Sequence, residues 1–142
     1  AFDLVNWNDG QSALALAEAN VAIGDGSLTR SSFQSSIASH PDEQKVIAYN
    51  NLAWYLVNVS DSTRPFQELS VEFALKACEL SKWKNAGYVD TLAAAYSQLG
   101  DFEKAVKHGE TVVAQATNDQ ARSDAEAKLL LYRAGKPYQA TK

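Results

Sequence analysis

Apolar residues recur every three or four positions along most of the chain, and strand-like alternation is scarce. This spacing predicts seven helices, over residues 11–23, 28–39, 43–58, 66–81, 86–99, 102–115 and 119–134, with 1–10 left as an extended lead-in. The signal is sharpest from Asn85 onward. Asn85 can cap a first turn, and Tyr88, Leu92 and Tyr96 follow four apart, on one face that must be buried. Gly100 supplies a left-handed stop, Asp101 can cap the next helix, and Phe102, Ala105 and Val106 restart an apolar stripe. A helical hairpin with a very tight turn results. Ala125, Leu129, Leu130 and Tyr132 make a last amphipathic helix, which Gly135 and Pro137 end. Such a polar-backed helix suits the end of a stacked array.

Part of the pattern repeats. Leu52-Ala53 and Leu92-Ala93 lie 40 residues apart, each followed four places after the leucine by a large side chain, Leu56 and Tyr96. Gly100-Asp101 closes the second hairpin, whereas the first runs through a Ser, Asp and Pro-rich insertion from Asn58 to Pro65. A fainter copy begins earlier: Leu16-Ala17 precedes Gly24-Asp25 by the spacing that separates Leu92 from Gly100, and Phe33 and Pro41 fall where a second helix and its end belong. These features predict an all-helical chain built from repeated hairpins.

Composition narrows the classes of function. A chain of 142 residues, 46% hydrophobic and 21% charged, suits one folded domain. The formal charge of −4 argues against nucleic acid, whose phosphates need a basic face. The longest strongly apolar run, Leu52 to Val57, is far too short to span a bilayer, so no membrane insertion is expected. Cys78 is the single cysteine, which excludes an internal disulfide and is compatible with cytoplasm or periplasm alike. The start at Ala1 and the absence of methionine suggest a chain processed or cut from a longer product.

No candidate chemistry rises above its plain alternative. His40 and His108 have no metal-site spacing and read as surface or helix-end residues. Cys78, among Ala74, Ala77 and Leu80, reads as packing despite Lys76 and Lys82 nearby. Asp101, Glu103 and Glu110 alternate with Lys104 and Lys107 as ordinary surface pairs, and Gly24-Asp25-Gly26 is a turn without the strand or lysine of a phosphate loop. The expectation is no enzyme, no metal and no cofactor.

The strings YNNLAWYL from Tyr49 and YVDTLAAAYSQLGDFEKAV from Tyr88 resemble the tetratricopeptide repeat family, and LYRAGKPY near the end is similar to the closing part of bacterial members. The family's signature positions correspond to Val89, Leu92, Ala93, Tyr96, Gly100, Asp101, Phe102 and Ala105. Small residues there let helices approach, while Leu92, Tyr96 and Phe102 fill the gaps between repeats. Ser70 stands where alanine is expected, Asn20 where an aromatic is usual, and Gly109 where the pattern has a large apolar side chain, which suggests looser packing around it. The resemblance implies a right-handed α-solenoid of about three helical hairpins, the first degenerate, in a domain over 11–142 with repeats at about 11–42, 46–82 and 86–118 and a cap helix at 119–134.

It also implies a mode of action: a peptide or partner protein held on the concave face formed by the first helix of each pair. That face would display Asn50, Trp54, Val57 and Asn58, then Asp90, Ala94, Ser97 and Gln98, joined by Leu14, Glu18 and Val21 of the first repeat. Trp54 reads equally as an exposed anchor or as core, and Asn51 as a structural residue between helices. No basic residue stands where some members clamp a carboxylate, and the acidic Glu18 and Asp90 would favour a neutral or basic ligand. The alternative is a structural or self-associating domain of a larger bacterial protein.

Overall fold

The computed structural model describes residues 24–58 and 64–139. The predicted helix at 11–23, with Leu14, Glu18 and Val21, lies outside these, as do the lead-in and the middle of the Asn58–Pro65 insertion. Among the described residues there are six helices and no strand: α1 (Gly26–Ile37), α2 (Asp42–Asn58), α3 (Arg64–Leu80), α4 (Ala86–Leu99), α5 (Phe102–Gln115) and α6 (Asp119–Arg133). None is long and apolar enough to cross a membrane.

Local chemistry sets the boundaries. The Asn85 side chain accepts from the amides of Gly87 and Tyr88, at 2.9 and 3.3 Å, and opens α4 where the spacing places it. Gly100 closes α4 at φ 90°, in the left-handed region that glycine enters without strain, and Asp101 caps α5 through the Lys104 amide at 3.2 Å. Two helices begin two residues earlier than expected. The Asp25 carboxylate caps Leu28 N at 2.9 Å and brings Gly26 into α1, and Pro65 sits in the first turn of α3, where its missing amide costs nothing.

α2 packs on α3, α3 on α4, α4 on α5 and α5 on α6, while α2 also reaches α4 directly and α1 rests on α3. Phe33, Tyr49 and Phe73 join α1, α2 and α3 through ring centroids 5.3 to 6.0 Å apart. Arg30 grips Glu72 across the α1–α3 contact at 2.7 Å. Ala53, Ala93 and Ala105 are buried, as are Leu92 and Tyr96, and small residues at these contacts let the helices approach closely. Phe102 is half-buried.

Two packing expectations change. Gly109 is not a loose point: the ring of Tyr132 and the end of Leu129, from α6, seat directly on it, so that an added Cβ would lie 3.2 Å from Leu129 Cδ1 and 3.5 Å from Tyr132 Cδ2. The large side chain that the pattern leads one to expect on α5 is supplied by its neighbour. Leu130 does not join the buried stripe of α6. Ala125, Leu129 and Tyr132 face α5, and Leu130, a third of a turn away, is 70% exposed.

Candidate functional site

Three turns of α4 and the end of α2 carry the residues singled out from the sequence. Asp90, Ala94, Ser97 and Gln98 follow each other at helical spacing, as do Asn50, Trp54 and Asn58. Gln98 ties the two helices together, its Nε2 donating to the Val57 carbonyl at 2.6 Å. Asn58 Nδ2 donates to the Trp54 carbonyl at 2.7 Å, leaving Asn58 Oδ1 to accept from elsewhere. Ser97 Oγ spends its one proton on the Ala94 carbonyl at 2.7 Å, so it too is left as an acceptor.

The segment that follows α6 completes the arrangement. Gly135, at φ 70°, turns the chain out of the helix, and Lys136 N returns to the Leu131 carbonyl at 2.9 Å. Pro137 blocks further helix, and Tyr138 lies across the face. Its amide donates to Ser97 Oγ at 2.9 Å, and its carbonyl accepts from Gln98 Nε2 at 3.2 Å. Its hydroxyl donates to Asn58 Oδ1 at 3.3 Å, and its ring meets that of Trp54 with centroids 5.5 Å apart. Both backbone groups of one non-helical residue are thus read by side chains of α4, and its side chain by α2.

Lys128 of α6 adds charge. Its Nζ lies 2.8 Å from Asp90 Oδ2, 5.5 Å from the Tyr138 ring centroid and 6.0 Å from that of Trp54, with both partners of the ion pair half-buried. Asp90 is therefore already paired and is not a free acidic determinant for a basic ligand, while a basic residue that the repeat positions lacked arrives from another helix. Lys128 and Tyr138 were both missed from the sequence. Their signal is weak: a glycine stop followed by Lys-Pro-Tyr, and a lysine indistinguishable from other helix-surface charges.

The eight predicted positions divide. Trp54 is 37% exposed and belongs to the surface instead of the core; Asn50, Asn58, Asp90 and Gln98 are half-buried. Val57 and Ser97, at 1%, and Ala94, at 0%, offer almost no surface: α4 sits between α2, α3 and α5 and is covered on nearly every side, and α2 packs on both α3 and α4. Val57 takes part through its carbonyl and Ser97 through one lone pair. Asn50 Oδ1 and Gln98 Oε1 are buried without a hydrogen-bond partner among the described residues.

The residues considered for chemistry are placed differently. His40 sits at the helix end, its amide bonded to the Ile37 carbonyl just beyond α1, and is buried there and not exposed at the surface. His108 is sandwiched between Trp83 and Tyr96, centroids 5.5 and 5.7 Å away and planes nearly parallel, and burial, followed by Lys107 and Lys104, holds its imidazole below the ordinary value. Burial, then Glu79, pushes the Cys78 thiol up to about 12, leaving it protonated at neutral pH. Among the described residues no three His, Cys, Asp or Glu side chains gather as a metal site would require.

In comparisons with known proteins, no family model and no curated protein matches the chain.

Proposed function

We propose that this chain is a non-catalytic helical-repeat domain, similar to the tetratricopeptide repeats of bacteria, that binds a peptide or a partner's surface on the face shared by α2 and α4. The observation that carries this reading is the seat of Tyr138: Ser97, Gln98 and Asn58 hold the amide, carbonyl and hydroxyl of a single non-helical residue beside a half-exposed tryptophan. Side chains that read the main chain, next to an aromatic anchor, are the two ingredients of peptide recognition. The partially exposed Trp54 and half-buried Asn50 are the residues to remove. Capture of partners from cell lysate is expected to yield a protein with the parent chain and to lose it with the Asn50→Ala, Trp54→Ala double variant. Equal recovery by both would rule out this face.

A second reading is favoured by Leu130 and Leu131, 70% and 39% exposed on α6. A pair of open leucines on the outermost helix suits contact with another copy or with a neighbouring domain. Light scattering separates the two, because a monomer at all concentrations removes self-association.

A further inference from the structure

Taking the peptide-binding reading as its basis, we propose that Lys136–Gln139 is a built-in competing ligand of this face, and that the ligand bound in trans is a protein segment presenting a tyrosine in the place of Tyr138. The contacts define what the seat accepts. Ser97 Oγ has spent its proton within α4 and, beside the Tyr132 hydroxyl, accepts a backbone amide from the ligand. Gln98 Nε2 has one hydrogen committed to Val57 and offers the other to a carbonyl. The amide and carbonyl of one residue meet both needs, so the segment must be free of helix there.

Asn58 Oδ1 takes a hydroxyl proton, which selects tyrosine over phenylalanine. The Lys128 ammonium, 5.5 Å from the ring centroid, favours an electron-rich ring and disfavours a cationic side chain. Asp90 holds that ammonium in place at 2.8 Å.

The segment is built as a tethered occupant more than as a piece of the core. It follows a completed helix, anchored there by the Lys136 N bond to the Leu131 carbonyl, and Tyr138 packs at the edge of the core half-buried, whereas Leu92 and Tyr132 are sealed. A tether of a few residues holds its end near the seat at an effective concentration on the order of millimolar, so an incoming segment has to compete with it. Affinity in trans is thereby lowered without any change in the seat.

The test uses the full chain and a fluorescent peptide with the sequence Gly135 to Lys142. Tyr138→Ala is expected to bind the probe about tenfold or more tightly than the parent, as follows from removing a tethered competitor. Adding Trp54→Ala, or replacing the tyrosine of the probe by alanine, is expected to abolish that gain. Binding by folded Tyr138→Ala no tighter than by the parent would overturn the proposal. Loss of the fold in Tyr138→Ala would overturn it equally, since a segment on which folding depends is not a displaceable ligand. A lysate partner captured equally by parent and Tyr138→Ala would leave the binding function standing and remove only the competition.

Discussion

Replacing Gly109 by leucine restores what the repeat pattern leads one to expect, and the structure requires it to destabilise. The gain is bounded: exchanging glycine for leucine inside a helix is worth about 1 kcal/mol of propensity. The cost is set by what already fills the space. Even a bare Cβ meets Leu129 Cδ1 at 3.2 Å and Tyr132 Cδ2 at 3.5 Å, and Tyr132 is among the largest fully buried side chains. Squeezing a leucine in costs about 1–3 kcal/mol as overpacking, and expelling the tyrosine forfeits a large share of the roughly 3–5 kcal/mol that a buried aromatic supplies. The net expectation is a loss of about 2 kcal/mol, or a fall in Tm of about 6 °C for a domain of this size. Gly109→Ala is the control. Its Cβ needs only the mobile end of Leu129 to yield, and the propensity gain offsets that, so a change within about 0.5 kcal/mol is expected. Urea unfolding followed by far-ultraviolet circular dichroism measures both. Stability of Gly109→Leu equal to or above that of the parent would mean that α6 does not seat on Gly109.

Other outcomes follow from the same packing and electrostatics. Leu92→Ala, at a fully buried position of α4, is expected to cost about 2–5 kcal/mol, and an unchanged urea midpoint would remove Leu92 from the interface between helices. With its pKa raised from 9.0 to about 12, Cys78 has a thiolate population about a thousandfold below that of a free thiol near pH 8. Iodoacetamide should therefore modify the native chain far more slowly than the urea-unfolded chain, and rates within tenfold of each other would contradict its burial. The His108 imidazole binds a proton less readily folded than unfolded, so more protons are bound on unfolding and stability falls as pH drops below 6.5. A His108→Gln chain should lose part of that decline; an identical pH profile would assign it to other groups.

Much of the fold was legible in the sequence because the caps are local. Asn85, Gly100 and Asp101 fix the α4–α5 hairpin by contacts within three or four residues, which a linear pattern contains. The partner of each face is not local. Periodicity places Asp90, Ala94 and Ser97 on one side of α4, yet says nothing of what lies over them, and so Ala94, Ser97 and Val57 were expected at a surface that other elements cover. The same limit hid Lys128 and Tyr138, whose roles depend on α6 and the segment after it meeting α2 and α4. At Gly109 the pattern registered a missing side chain and had no means of registering that Tyr132 takes its space.

The turn between α3 and α4 has a consequence for the order of folding. Lys82 and Trp83 both lie in the left-handed region, at φ 56° and 62°, where residues with a Cβ are each disfavoured by about 1–2 kcal/mol. Local bonds from Lys82 N to the Glu79 carbonyl and from Trp83 N to the Cys78 carbonyl offset part of that cost, and the rest falls to later contacts, the stack of Trp83 on His108 and the Gln115 Nε2 bond to the Trp83 carbonyl. Gly100 imposes no such cost on the α4–α5 hairpin. The transition state for folding should accordingly contain that hairpin and lack the Trp83 contact. Substitutions at Leu92 would slow folding, whereas Trp83→Ala would chiefly accelerate unfolding, and the reverse assignment in stopped-flow kinetics would exclude this order.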